Sequence, residues 1–305
     1  MTPSHPQFSI VIPTHNRPRQ LTRCLESLLR LEPSAGGHEV IVVDDASADP
    51  LHGTVAPFAG RLAITLIRAP KGGPAAARNL GAAHARGEYL AFTDDDCEPS
   101  ENWLQALDRC FQQEPEGLVG GRTANAVPRN LYSEASQCLL DFLYGWHESK
   151  SGCGSRFFAS NNLAVSRLRF ESLGGFSPAY PFAAAEDRDF CARWIERGWE
   201  LVYAPAAQVL HFHALSPFEF FLQHFTYGRG ARTFHTARAT RGAGPRVMEP
   251  WGFYAGMIRH AMRKSARIPQ ALMLAMLMGV SQLATAAGYF LEGRASVRRL
   301  FVDGN

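Results

Sequence analysis

Four short apolar runs within the first hundred residues each end abruptly, and helical spacing separates most of them. FSIVI (Phe8–Ile12) stops at Pro13. EVIVV (Glu39–Val43) stops at Asp44-Asp45. Leu62–Ile67 is a third run, and EYLAFT (Glu88–Thr93) stops at Asp94-Asp95-Asp96. Short β-branched runs bounded by breakers predict buried strands. Between them, Pro18–Leu31 repeats leucine at 21, 25, 28 and 29, a helical period, and Pro74–Ala85 is Ala-rich behind Gly72-Gly73. Asn102–Gln112 is helical again. Strands alternating with helices predict an α/β fold with a doubly wound, mostly parallel sheet. Such sheets bind ligands at the carboxyl ends of their strands. Three polar clusters, Thr14-His15-Asn16-Arg17, Asp44-Asp45 and Asp94-Asp95-Asp96, are therefore expected at one edge.

The middle of the chain is less regular. Tyr144–Arg156 is Gly/Ser-rich and reads as a mobile loop. Phe157–Ser166 is strand-like, and Glu186–Gly198 is a helix stopped by Gly198. Leu201–Ala204 and Gln208–His213 read as two short strands. A hydrophobic share of 46% in 305 residues supplies a core without disulfides. Six scattered cysteines with no C-x-x-C pair read as reduced thiols in a cytosolic setting, and the polar start lacks a signal-peptide pattern.

Charge is unevenly placed. From Ser216 onward there are 12 Lys+Arg against 4 Asp+Glu, and before it 19 against 24. The expected division is a mildly acidic catalytic part, 1–215, and a basic helical part, 216–305. A basic surface of this kind either faces phosphate groups or is simply solvated.

Three adjacent carboxylates repel one another, so their place at the end of a buried strand suggests a neutralising cation. On an extended segment Asp94 and Asp96 would share one side and Asp95 the other. Hard oxygen ligands suit Mg²⁺ or Mn²⁺. Helix capping near Glu101 is the structural alternative. Asp44-Asp45 can accept from a ribose or base, or cap a turn. Arg78 can pair with phosphate or lie on the surface. Glu186-Asp187 either complement a helix dipole or supply a general base. His211 and His213 alternate in a strand, so both imidazoles share a face and either can complete a metal site.

Together VIPTHNRP (11–18), VVDDASAD (42–49), GGPAAARNLG (72–81), FTDDDCEP (92–99), SNNLAVSR (160–167), LGGFSP (173–178), EDRDFCARWIERGW (186–199) and HFH (211–213) resemble the family 2 glycosyltransferases of GT-A fold. The resemblance covers residues 7–215. It implies a nucleotide-sugar donor, a divalent cation, and inversion at the anomeric carbon. By position, Asp44 and Asp45 would contact base and ribose, and Pro13, Thr14, Asn16 and Arg17 would line the nucleotide pocket. Arg78 would lie near the diphosphate. Asp94 and Asp96 would form the D-x-D metal motif beside Asp95, with His211 or His213 completing it. Asp187 would be the base, with Glu186 beside it, and Asn161 and Asn162 would lie near the donor sugar or acceptor. The expected acceptor is a glycan or lipid-linked hydroxyl in cell-envelope polysaccharide synthesis, and no nucleic-acid partner is expected. There is no Q-x-x-R-W run after the base, which argues for adding one or a few sugars. Nucleotidyl transfer and non-catalytic sugar-nucleotide binding are the competing functions. The first normally uses a Gly-rich loop where Pro13–Pro18 stands.

Pro269–Leu291 is apolar and long enough to cross a bilayer, with basic residues on both flanks. Symmetric flanks give no orientation. Peripheral attachment to the cytoplasmic face of a membrane is the expectation, and a buried helix covering the catalytic part is the alternative.

Overall fold

A computed structural model describes residues 6–34, 36–151, 157–180, 182–242 and 249–302. The elements run β1 (Phe8–Thr14), α1 (Pro18–Leu28), β2 (His38–Asp45), α2 (His52–Val55), β3 (Ile64–Ala69), α3 (Gly73–Ala83), β4 (Tyr89–Thr93), β5 (Cys97–Pro99) and α4 (Trp103–Gln113). Then come β6 (Leu118–Asn125), α5 (Leu131–Ser151), β7 (Asn162–Ser166), α6 (Arg167–Leu173), α7 (Glu186–Glu196), β8 (Leu201–His211), α8 (Pro217–Thr240), α9 (Trp251–Lys264) and α10 (Ile268–Val302).

One sheet holds all eight strands in the order β3-β2-β1-β4-β7-β6-β8-β5. Pairings β3-β2, β2-β1, β1-β4 and β6-β8 are parallel; β4-β7, β7-β6 and β8-β5 are antiparallel. The chain runs outward through β1, β2 and β3 and returns beside β1 as β4. That reversal opens a crevice at the carboxyl ends of β1 and β4, where ligands of such sheets sit. Register aligns Thr14 with Asp44 across that edge.

Apolar alternation decides which helix covers which face. Ile10 and Ile12 of β1 pack with Leu21 and Leu25 of α1 and Trp103 and Leu107 of α4. Val11 points the other way, into a cluster with Phe92, Phe170, Phe176, Phe190 and Trp194. With both faces covered, the strands read as continuous apolar runs. The α/β fold with a doubly wound, mostly parallel sheet and a C-terminal helical extension is therefore present, with antiparallel strands confined to its later half.

Two expectations need correction. The loop expected over Tyr144–Arg156 is helical up to Ser151, and residues 152–156 lie outside the described residues. Phe142 and Trp146 explain it: they pack on Phe253 of α9, and that burial outweighs Gly145 inside the helix. The two short strands expected at 201–204 and 208–213 are one strand, β8, ending at His211, with an irregular register opposite Gly121/Arg122. A bulge absorbs Pro205, which cannot donate to a ladder. Among the described cysteines, Cys24, Cys97, Cys110, Cys138 and Cys191 are free; Cys153 lies outside the described residues.

Ile268–Gly293 is one helical stretch long and apolar enough to cross a membrane by length and composition. It buries Leu274, Met278, Ser281 and Ala284 on one face, at helical spacing. Leu274, Leu277 and Met278 share a cluster with Phe142 of α5, Phe220 of α8, and Phe253 and Met257 of α9. The same helix exposes Ile268, Leu272, Met276, Leu283 and Phe290 on its other face.

Candidate active site

The strand ends converge as expected, but each carboxylate has a different partner. Beyond β4 the chain does not stay extended. Cys97 N–H donates to Asp94 C=O at 3.1 Å, so 94–97 is a turn and the alternation expected over 94–96 does not form. Turning spreads the three charges. Asp94 pairs with Arg78 at 2.6 Å. Asp95 accepts from Thr14 Oγ1 at 2.7 Å and from Arg17 at 3.2 Å. Asp96 meets the same Arg17 at 3.0 Å, His211 Nε2 at 3.3 Å and His213 Nδ1 at 3.6 Å. Phe212 N–H donates to Asp96 C=O at 2.8 Å, and β8 pairs with β5 there, which sets both histidines beside the turn. Their rings stack 5.1 Å apart.

Neighbouring carboxyls split electrically. Burial, only partly offset by Arg17, pushes Asp95 up to about 6. Burial also opposes ionisation of Asp96, but His211, His213 and Arg17 outweigh it and hold that carboxyl well below the usual range. Asp96, Cys97 and His211 place their donor atoms within 4.8 Å of one another. Cys97 is wholly buried in the core, and its soft sulfur is a poorer match for Mg²⁺ or Mn²⁺ than the oxygen and imidazole donors beside it. Carboxylate and imidazole donors on Asp96, His211 and His213 fit a borderline-hard divalent cation.

The nucleotide-side residues are held by backbone groups. Asp45 accepts from Gly72 N–H at 2.6 Å and Gly73 N–H at 3.1 Å, at the start of α3, and pairs with Lys71 at 3.1 Å. Against the burial that opposes it, these contacts hold Asp45 below its ordinary value. Asp44 accepts from Ser47 N–H at 2.8 Å and lies 3.8 Å from Arg68. Asn16 ties the first two loops: its N–H donates to Ser47 Oγ and its Oδ1 accepts from Ala48 N–H at 2.7 Å. Pro13 lies on β1 opposite Val43. Among the described residues, the non-glycines with positive φ are Asn16, Ala46 and Ala185. All three lie beside this site, where backbone strain tends to gather.

Arg78 is the strut between the two acidic groups. Its buried guanidinium bonds Asp94 and, at 3.1 Å, Glu186 Oε1. Glu186 and Asp187 open α7 behind Ala185. Glu186 Oε2 is buried without a partner. Burial and the adjacent Asp187 push Glu186 up to about 7; burial likewise raises Asp187, whose Oδ1 accepts from Arg188 N–H at 2.7 Å. A cavity of about 690 Å³ is lined by Arg78, Asp94, Asn161, Glu186, Asp187, His211 and His213.

Asn162 is not in that lining. Its Oδ1 accepts from Trp103 Nε1 at 2.9 Å and its Nδ2 donates to Arg122 C=O and Ala207 C=O. Through these contacts Asn162 ties α4, β6 and the β8 bulge together. Asn161 lines the cavity and accepts from Thr123 Oγ1 at 3.0 Å. Gln223, His224 and Tyr227 of α8 also line the cavity, as do Gln282 and Tyr289 of α10. No motif marks these residues; a polar stripe on otherwise apolar helices was the only local signal.

Residues 9–167 match the family model for glycosyl transferase family 2. The pre-mycofactocin glycosyltransferase of Mycobacterium tuberculosis is 33% identical over 237 residues, 75% of this chain and 47% of that protein. Glycosyltransferase AglE of Haloferax volcanii is 28% identical over 75% of this chain and 74% of its own length. The chain thus spans about half the length of the mycobacterial relative. The mannosyltransferase PcManGT from Pyrobaculum calidifontis, solved in complex with GDP-Man and Mn²⁺, superposes with a TM-score of 0.64 at 20% identity, over 98% of this chain and 88% of its own. A match over half of the chain, on the strands and loops that carry the carboxylates, makes it a member of glycosyl transferase family 2 with that family's GT-A fold.

Proposed function

We propose that the chain transfers a glycosyl group from a nucleoside-diphosphate sugar to a hydroxyl of a glycan or lipid-linked acceptor, with inversion. The observation that carries this is one cavity bordered both by the Asp187–Glu186 pair and by the histidines that flank Asp96, with Arg78 buried between the groups. In the transfer, the acceptor O–H gives its proton to Asp187 as its oxygen bonds to the anomeric carbon. The bond from that carbon to the diphosphate breaks, and its electron pair leaves with the nucleoside diphosphate. One base opposite the leaving group is all that inversion needs. Asp45, Asp44, Thr14 and Asn16 border the nucleotide, and Arg78 faces the diphosphate.

Asp96 with His211 and His213 would hold Mn²⁺ or Mg²⁺, with Asp94 beside them. When bound, the cation supplies positive charge to the departing diphosphate. Arg17, whose side chain is 44% exposed, bridges Asp95 and Asp96. Residues 1–215 form the catalytic part, and the described helices α8, α9 and α10 wall it. The exposed apolar residues of α10, with exposed Arg259, Arg263 and Arg267 nearby in sequence, support peripheral attachment to the cytoplasmic face of a membrane.

Thermal unfolding with UDP, GDP and other nucleoside diphosphates, with and without Mn²⁺, tests the donor site. At a hundredfold excess over Kd, binding adds about 2.7 kcal/mol of stability. The expected result is Mn²⁺-dependent stabilisation by one nucleotide, lost in Asp96→Ala. No stabilisation by any nucleotide would overturn the proposal.

A further inference from the structure

The family match ends at residue 167, yet the helical part that follows β8 sends side chains back to the carboxylates. β8 hands over to α8 through a turn that is pinned at several points. Ser133 Oγ donates to His213 C=O and accepts from Leu215 N–H at 3.2 Å, and Asn130 Nδ2 donates to Leu215 C=O at 2.9 Å. A capping box of Ser216 and Glu219 then starts α8. These contacts fix where α8 stands relative to His213. Early in α8, Gln223 meets that ring, its Oε1 lying 3.2 Å from His213 Nε2. Tyr227 follows one turn later on the same helix face, and Gln223 Nε2 donates to its Oη at 2.6 Å. His213, Gln223 and Tyr227 all line the cavity that holds Asp187.

This chain of contacts has a direction. Asp187, Glu186 and Asp94 act electrostatically on Tyr227. Carboxylates draw the phenol proton toward themselves, which leaves the Tyr227 oxygen to accept from the Gln223 amide. With its Nε2 committed there, Gln223 turns its carbonyl oxygen to His213. A neutral imidazole carries one N–H and one lone pair. The N–H is then on Nε2 and the lone pair on Nδ1, the atom 3.6 Å from Asp96 Oδ2. The same oxygen meets Arg17 Nη1 at 3.0 Å, so positive charge already sits on this side of Asp96. His211 turns its Nε2 to the other oxygen, Oδ1, and among the described residues its Nδ1 has no comparable partner.

We propose that Gln223 is a positioning residue of the cation site: it fixes the His213 tautomer whose Nδ1 lone pair faces Asp96, and Tyr227 holds Gln223 in that orientation. The opposite tautomer would present an N–H to the cation and repel it. The inference rests on the cation-dependent transfer proposed above, and it gives α8 a part in the site beyond that of a wall.

The experiment measures Mn²⁺ binding by the full chain, by electron paramagnetic resonance of the free ion, alone and with GDP or UDP. It is run at about pH 8, above the ordinary histidine range. Hydrogen-bond partners of metal-binding histidines are worth about 10–100-fold in affinity. Gln223→Leu should weaken Mn²⁺ binding by about that factor and Tyr227→Phe by less. Gln223→Glu, which keeps an accepting oxygen at the same reach, should bind at least as tightly as wild type. The metal-free unfolding midpoint should stay in place throughout, which separates positioning from support of the fold. Imidazole nitrogen NMR of the metal-free wild type should find the His213 hydrogen on Nε2, and Gln223→Leu should give a mixture. A hydrogen on Nδ1 in wild type, or unchanged Mn²⁺ affinity in Gln223→Leu, overturns the inference and leaves the cation site standing. Absence of Mn²⁺ binding by wild type, alone or with either nucleotide, sinks the cation-dependent reading instead and the inference with it.

Discussion

The sheet loops of the candidate site are held by polar contacts, whereas α8 and α10 meet by bringing backbones together. On the sheet side, Asp45 rests on Gly72 and Gly73 N–H, Asp95 on Thr14 and Arg17, and Arg78 spans Asp94 and Glu186. These are ion pairs and hydrogen bonds among side chains and loop backbone, and the Arg78–Glu186 pair among them is buried. On the helix side, a Cβ at Gly228 would stand 1.9 Å from Thr285 C=O, and one at Gly288 would stand 1.9 Å from Phe225 C=O. Backbone cannot yield to a new methyl group as a side-chain tip can. The difference teaches that one wall depends on charge and hydrogen-bond complementarity and the other on the absence of side chains.

The sharpest separation of the two walls should come from Asp187→Asn. General-base loss is expected to lower turnover by about 10²–10⁴-fold. The midpoint of unfolding should stay or rise, because a half-buried carboxylate whose ionisation desolvation opposes is removed. Turnover from donor consumption and unfolding by circular dichroism check both halves; a variant with full turnover discredits Asp187 as the base.

On the other wall, Gly288→Val should leave no room at the α8–α10 crossing and destabilise the chain by about 3 kcal/mol, the upper range for overpacking. Gly279→Ala, in open space on the same helix, should instead stabilise by about 0.5–1 kcal/mol through helix propensity. Denaturant unfolding reads both. A neutral Gly288→Val would remove the contrast between the walls.

The smallest expected effect is that of pH. A base works only when deprotonated, and the Glu186–Asp187 pair is shifted upward by burial, with Glu186 at about 7. Turnover should fall as pH drops below the pair's midpoint, by about tenfold per unit once the pair is protonated. Asp45, held below its ordinary value, stays ionised over that range. Turnover flat down to pH 5 would show that the acids do not titrate as a buried pair.

How much of this was legible depends on the range of the signal. The first four strands and the helices α1 and α3 were readable within about three residues, because apolar period and Pro, Gly or Asp stops act locally, while the short α2 was not anticipated. The gathering of Thr14, Asp44 and Asp94 at one edge followed from strand direction alone. Partner choice did not. Arg17 between Asp95 and Asp96, and Arg78 between Asp94 and Glu186, join residues 16 to 108 positions apart. Nor does the sequence show that Asn162 ties Trp103, Arg122 and Ala207 together. The Gly/Ser-rich stretch after Tyr144 belongs partly to a helix because α9 covers it.

By itself, then, the order of residues determined the alternating α/β layout, the strand ends that bear carboxylates, and the motifs shared with family 2. Tertiary structure alone decided which carboxylate meets which cation, and that the apolar C-terminal helix lies against α8 and borders the cavity. Periodicity records only which face of an element is apolar, while the identity of what covers that face depends on contacts between segments far apart in the chain.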